Sequence, residues 1–378
     1  MDHPLPRRLR ILGRFLWPDA ETRAYVRLLR RSAYFDRAFY LASNPRLRWL
    51  FRLAPERHYA LFGEALGLSP AAEFSPRAYL FHNPDLDPAR TRALLHYLGT
   101  GRAENRTALL PPGGGESDGL TLPRIGPGDA PQPGADHAVV LHLYYPEMWG
   151  DFARALAGQH FDFDLYVTLC GPAGADEALR ARIRAAFPRA RIWVFPNRGR
   201  DILPFVHLVN SGLLARYRAV CKLHGKKSPH RADGDPWRRA LVAGVLGDPE
   251  VIRRRLRAFL DGDDLALWVA DGQLCRGADW WGANRPRAEA LLARIGEQAG
   301  ELVFAAGSIY WIKPALLDRI AALGLGAADF EPEQALVDGT TAHAMERVLG
   351  CLATTAGLGL CEARALDAPA PPRRPGAA

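Results

Sequence analysis

Three of the chain's four lysines, Lys222, Lys226 and Lys227, stand within Cys221–Ser228, although arginine supplies 45 of the 49 basic residues. The run reads Lys222-Leu223-His224-Gly225-Lys226-Lys227-Ser228, with His230 and Arg231 after it. An ammonium is a mobile point charge suited to phosphate oxygens. A solvated basic loop is the plain alternative, but this sequence fills solvated basic positions with arginine. A second cluster is Asn197-Arg198-Gly199-Arg200-Asp201. Asparagine and glycine permit a tight turn, arginine forks suit phosphate, and a helix start attracts anions. Asp201 alone reads equally as a helix cap.

Three further clusters carry polar chemistry. His142 and Tyr144 share one face by strand alternation, and His142 reads equally as a ligand contact or a half-buried core histidine. Asp233-Gly234-Asp235 has the spacing of a magnesium-phosphate pair, but helix capping by Asp235 explains it better. Gly307 and Ser308 precede a set containing Glu333, Asp338, Thr340, His343 and Glu346. A carboxylate there can act as general base on a hydroxyl, and Asp338 or Thr340 can start the last helix. No P-loop, GxSxG or HExxH is present.

The elements that must position these residues alternate strand and helix from residue 137 onward. Strands are expected at His137–Tyr145, Phe163–Cys170, Arg191–Pro196, Arg218–His224, Leu265–Ala270 and Leu302–Ile312. Helices are expected at Met148–Ala157, Asp176–Phe187, Asp201–Leu214, Arg287–Gln298 and Thr340–Leu352. Asp235-Pro236 and Asp248-Pro249 read as helix starts. This pattern predicts a doubly wound α/β domain, with ligands at the C-terminal ends of its strands. All the clusters fall near such ends.

The expected boundaries are a basic segment at 1–31, a helical repeat module at 32–110, a Pro/Gly-rich linker at 111–136, the α/β domain at 137–365 and a disordered tail at 366–378. The module repeats itself. Phe35–Leu47 and Phe74–Leu86 coincide at Phe35/Phe74, Tyr40/Tyr79, Asn44/Asn83 and Pro45/Pro84. Each unit continues into His-Tyr (His58-Tyr59, His96-Tyr97) and a glycine, Gly63 or Gly101. Two helices per unit with aromatics packed between units are expected. The pattern resembles the FDxxYYLxxNPDV-type repeats found beside bacterial glycosyltransferase domains.

Hydrophobic residues at 48% and charged residues at 24% exclude wholesale disorder and a multi-span membrane protein. Five widely spaced cysteines without CxxC argue against a disulfide framework or structural zinc. The +8 net charge is compatible with an anionic ligand, an anionic membrane surface or nucleic acid. No nucleic-acid motif accompanies it, and no nucleic acid is expected as a partner.

The ordered set LHLYYPEMW, FDLYVTL, NRGRDILPF, CKLHGKKSPHRADGDPWR, FAAGSIYWIKP and VDGTTAHAMER resembles the rhamnan synthesis protein F family over His137–Glu362. That family comprises bacterial glycosyltransferases of cell-surface polysaccharide assembly. The resemblance implies a GT-A-like domain that moves a sugar from a nucleotide-sugar donor, dTDP-rhamnose first, to a growing glycan, free or lipid-linked. It implies donor contacts from His142, Tyr144, Asn197, Arg198, Arg200, Asp201, Lys222, His224, Lys226, Lys227 and Ser228. Gly307, Ser308 and His343 would lie on the acceptor side. Asp338 is the first candidate for general base and Glu333 the second. The lysine run replaces the DxD of standard GT-A enzymes, so a divalent metal is not expected; no other cofactor is indicated. The donors imply a cytoplasmic location, with peripheral contact at the inner face of the cell membrane left open. The alternative is a non-catalytic glycan-binding or assembly module of the same fold.

Overall fold

Short apolar runs between turn residues become the strands of the sheet. In the computed structural model, which describes residues 7–109, 120–225, 234–336 and 338–367, these are β1 (His137–Leu143), β2 (Phe163–Leu169), β3 (Arg191–Val194), β4 (Ala219–His224), β5 (Leu265–Val269), β6 (Leu274–Arg276), β7 (Val303–Ala305), β8 (Tyr310–Ile312) and β9 (Gly359–Glu362). Seven of them form one sheet in the order β3-β2-β1-β4-β8-β5-β9, and β6 pairs with β7 apart from it. β1, β2, β3 and β4 run parallel, while β8 is antiparallel to both β4 and β5. Parallel neighbours need crossovers. Helices Trp149–Ala157, Glu177–Ala186 and Ile202–Asn210 supply them. The fold is α/β, as the alternation implies.

The strand order reverses between β1 and β4. The chain winds outward through β2 and β3, then returns to the other side of β1. In open α/β sheets a crevice forms at such a switch point, outside the carboxyl ends of the strands. Odd-numbered residues of β1, β2 and β4 (Val139, Leu141, Leu165, Val167, Cys221, Leu223) enter the main apolar core with Trp149, Phe152, Trp268 and Trp311. By alternation, His142, Thr168, Lys222 and His224 share the opposite face.

Several expected elements shift, for identifiable reasons. Leu302–Ile312 is two strands in different sheets, not one. Gly307 and Ser308 both take positive φ, 88° and 54°, and break the run. β6 and β9, of three and four residues, are too short to show a strand period in the sequence. Asp248 does cap the helix Pro249–Asp261, accepting from the Glu250 and Val251 amides. The helix at Gly234–Leu246 begins before Asp235 rather than after it. From Leu120 to Asp136 the chain is tied to the α/β unit: Pro123 O accepts from His207 of the helix Ile202–Asn210 at 2.8 Å, and Asp136 O from the Arg218 amide, just before β4, at 2.9 Å. Backbone groups rather than large side chains make these ties, so composition does not reveal them. Leu366 is buried and Asp367 pairs with Arg254 and Arg255, so order extends through 367.

The chain divides into two units. One comprises Met1–Pro112 with Trp281–Ala283 and Pro332–Gly339; the other holds the remainder, including the large sheet. Within the first, the two repeats are equivalent in three dimensions. Helices Arg37–Ser43 and Pro76–His82 are capped by Asp36 and Ser75 and end at Asn44 and Asn83. Each asparagine amide donates back to a tyrosine carbonyl, Tyr40 at 2.8 Å and Tyr79 at 2.7 Å. Each tyrosine hydroxyl meets a histidine Nδ1 at 2.8 Å, His58 or His96. Burial pushes His58 down to about 4, so the ring stays neutral. The following π-helical turns, Tyr59–Gly63 and Tyr97–Gly101, bring a glycine against the same tyrosine. A Cβ at Gly63 or Gly101 would collide with the Tyr40 or Tyr79 hydroxyl. The aromatics are therefore the module's own core. Helix Ala20–Arg31 joins that core through Tyr25 and Leu29, so the basic segment is not separate from the module. Among the described residues no helix is long and apolar enough to cross a membrane.

Gly63→Ala is predicted to destabilise the protein by about 1–3 kcal/mol through overpacking. In a Tyr40→Phe background, where the hydroxyl is gone, the added cost should be smaller. Urea denaturation of the four proteins measures this; equal costs in both backgrounds would refute the steric explanation.

Candidate functional site

Alternation places Lys222 on the β4 face that the helix Ile202–Asn210 covers, and that burial dictates its chemistry. Its side chain is 1% exposed. A buried ammonium is costly unless it is paired and hydrogen-bonded. Here it donates to Asp201 Oδ2, to Ser308 Oγ at 2.8 Å and to Ser308 O at 3.1 Å. An ammonium has three N–H donors. All three are engaged, so none is left for a phosphate oxygen. The rings of Phe205 and Tyr310, each 5.6 Å from Nζ, complete the enclosure. Expected as a donor-phosphate contact, Lys222 instead points inward.

Asp201 sits at the start of the helix Ile202–Asn210 but makes no side-chain capping bond. Its carboxylate turns to Lys222 instead. Burial pushes its pKa up, but the charges of His224 and Lys222 and the Lys222 hydrogen bond outweigh burial and hold it below the usual carboxylate range. The turns that bring these groups together are strained. Gly199 and Arg200 have φ of 63° and 55°, and Gly307 and Ser308 follow the same left-handed pattern. A non-glycine residue there costs of order 1–3 kcal/mol and persists only where surroundings fix it. Lys222 bonds Asp201, next to one turn, and Ser308, inside the other. It therefore fastens both turns to β4.

Two histidines crown the switch point. His142 of β1 and His224 of β4 are direct partners in the sheet register. His224 Nε2 donates to Gly307 O at 2.8 Å, and its Nδ1 lies 3.7 Å from Asp201 Oδ1. His142 Nδ1 meets Thr168 Oγ1 at 2.9 Å, and its Nε2 meets Cys170 Sγ at 3.4 Å. Burial pushes His142 down to about 3, the Asp201 charge opposing it only in part. His142 is thus a neutral, enclosed ring.

A second pairing joins the turn after β3 to the last helix. Arg200 Nη1 lies 2.9 Å from His343 Nε2. A guanidinium only donates, so Nε2 accepts and Nδ1 carries the proton. That proton points to Thr340 Oγ1, 2.8 Å away. Thr340 caps the helix Thr341–Thr355, a role that Asp338 shared in the sequence reading.

The structure thus gathers His142, Asp201, Lys222, His224, Gly307 and Ser308, and separately pairs Arg200 with His343. Tyr144 lies over Gly171, where a Cβ would strike its ring. Arg198 is half-buried and Asn197 exposed. Glu333 and Asp338 fall in the stretch grouped with the first unit, where Asp338 Oδ2 accepts from the Ala283 amide at 3.0 Å and Glu333 from the Ala335 amide at 2.6 Å. Lys226, Lys227 and Ser228 lie outside the described residues, as do the Asp233 and Asp235 side chains. Among the described residues no three His, Cys, Asp or Glu side chains meet as a metal site. Tyr310, Thr168 and Cys170 were missed; the alternation that flagged His142 extends across to Thr168 once strand register is known.

Residues 129–358 match the family described as Rhamnan synthesis protein F. Two relatives from strains of Xanthomonas campestris pv. campestris, each named Uncharacterized protein WxcX, are 37% identical over 171 residues. That stretch is 45% of this chain and 24% of those proteins, so the chain spans about a quarter of the length of the curated relatives it matches.

Lys222→Met is predicted to cost about 3–5 kcal/mol, because it strands a buried carboxylate. Adding Asp201→Asn should recover much of that loss in denaturant melts; additive losses would contradict the pairing. The pH dependence follows from the directions of shift. Asp201 is depressed, so its contribution is present above 3.8 and lost as pH falls below that value. His142 is also depressed, so stability is fullest above 6.5 and declines as pH falls toward about 3. His142→Gln should flatten the curve between those two values; an unchanged slope would show that His142 is not the titrating group.

Proposed function

The chain belongs to the rhamnan synthesis protein F family, and on that premise we propose that it is a glycosyltransferase of polysaccharide synthesis. Family membership implicates it in rhamnan or related polysaccharide assembly. The observation that favours the catalytic reading is the pair of arginines, Arg198 and Arg200, just before the helix Ile202–Asn210 in a sheet whose strand order reverses between β1 and β4. A crevice of that kind suits a nucleotide.

In this reading Arg198, Arg200, Lys226, Lys227 and Ser228 bind the donor diphosphate, beside Asn197 and Tyr144. Lys222, Asp201, His142 and His224 hold the crevice walls in shape rather than touching phosphate. The acceptor hydroxyl oxygen bonds to the anomeric carbon, the bond from that carbon to the diphosphate oxygen breaks, and the nucleoside diphosphate leaves with the electron pair. Fixed cations stabilise the developing charge, the part a divalent metal plays elsewhere. Asp338 takes the acceptor proton, with Glu333 as the alternative base; His343 and the Gly307–Ser308 turn lie on the acceptor side. dTDP-rhamnose is the first donor to test, against a free or lipid-linked glycan. In this reading the chain works in the cytoplasm, where sugar-nucleotide donors are found.

Calorimetry with dTDP, UDP and GDP, with and without EDTA, tests the donor half. Metal-independent binding of one diphosphate, lost in Lys226→Ala/Lys227→Ala, is expected. No binding by folded protein would favour a non-catalytic glycan-binding module instead. Asp338→Ala should abolish sugar transfer while leaving diphosphate affinity unchanged; retained transfer would move the base to Glu333, and an essential magnesium requirement would overturn the metal-free version.

A further inference from the structure

The net charge of the chain is not spread over it. Residues 1–57 carry thirteen arginines against five acidic residues, and residues 58–378 carry 36 basic against 36 acidic. The first 57 residues therefore hold the whole surplus of +8.

The same stretch exposes most of the large apolar side chains on the surface of its unit. Helix Arg7–Leu16 and helix Trp49–Leu53 pack through Phe15 and Phe51, whose rings lie 4.9 Å apart. Arg57 locks the contact by donating to Phe15 O at 2.8 Å. Each helix then leaves an apolar i,i+4 pair outside: Leu12 and Leu16 on one, Trp49 and Leu53 on the other. Trp17 follows directly. Trp17 is 78% exposed, Trp49 72% and Leu53 63%. Arg14, Arg46, Arg48 and Arg52 stand exposed among them.

We propose that this face docks on an anionic lipid bilayer. Arginines meet headgroup phosphates, and tryptophan and leucine enter the boundary below them, where amphipathic indoles settle. Charge complementarity selects an anionic surface. The two exposed indoles select a bilayer over a soluble polyanion, which offers them no apolar layer. The inference does not depend on glycosyl transfer: a non-catalytic module with this face would dock as well.

Flotation of the full chain with vesicles tests it. Binding is expected to vesicles of phosphatidylcholine mixed with phosphatidylglycerol, and not to phosphatidylcholine alone. Arg46→Glu/Arg48→Glu should weaken binding by about twenty-fold or more, at roughly five-fold per arginine lost. Trp17→Ser/Trp49→Ser should weaken it several-fold with an unchanged melting temperature, since both side chains are exposed. Equal binding to the two vesicle types, or no binding to either, overturns the proposal. Vesicle binding untouched by the tryptophan changes, with equal affinity for single-stranded RNA, also overturns it and assigns the face to a general polyanion contact.

Discussion

The buried contact between Lys222 and Asp201 is the constraint on which the switch-point architecture rests. Two full charges lie in an apolar layer between a sheet and a helix, next to Phe205 and Tyr310. Such a pair stabilises a fold weakly in itself, but removing one partner is severe. Its use here is geometric. One ammonium reaches the turn after β3 and the turn before β8, two segments distant in sequence that both contain residues in left-handed conformation. His224, on the same face of β4, adds a second tie: its Nε2 donates to Gly307 O and its Nδ1 lies 3.7 Å from Asp201 Oδ1.

This changes what the lysine run means. Lys222 and His224 point to the inner face and complete their own hydrogen bonds. The phosphate-binding part of the hypothesis therefore passes to Lys226 and Lys227 and to the arginines after β3. The helical repeats follow a different economy. Their tyrosines, histidines and glycines are used up by each other, so what the module offers outward is arginine, leucine and tryptophan.

Much of the fold was legible because short apolar strands alternate with capped helices. β1 to β5 all lie where period and turn residues place them. The order of the strands was not legible, and neither was the antiparallel run of β8, which depends on a turn at Gly307 and Ser308 that looks like strand interior in sequence. The site clusters were legible as residue types at strand ends. Their roles were not. Nothing in the string Lys222-Leu-His224 says that the first residue faces a helix and the third a loop; that follows only from register against His142 and from the helix laid over the even-numbered face. The ordered path from Leu120 to Asp136 leaves no mark in composition because the anchors named above are carbonyls, which every sequence possesses.

A crystal structure of the protein with a bound nucleoside diphosphate would decide whether the β1–β4 switch point is the donor site. The diphosphate is expected at the carboxyl ends of β1 and β4, within hydrogen-bonding distance of Arg198 or Arg200, with the Lys222–Asp201 pair intact beneath it. A diphosphate bound elsewhere on the protein, or one that reaches the crevice only by breaking that pair, would contradict the reading.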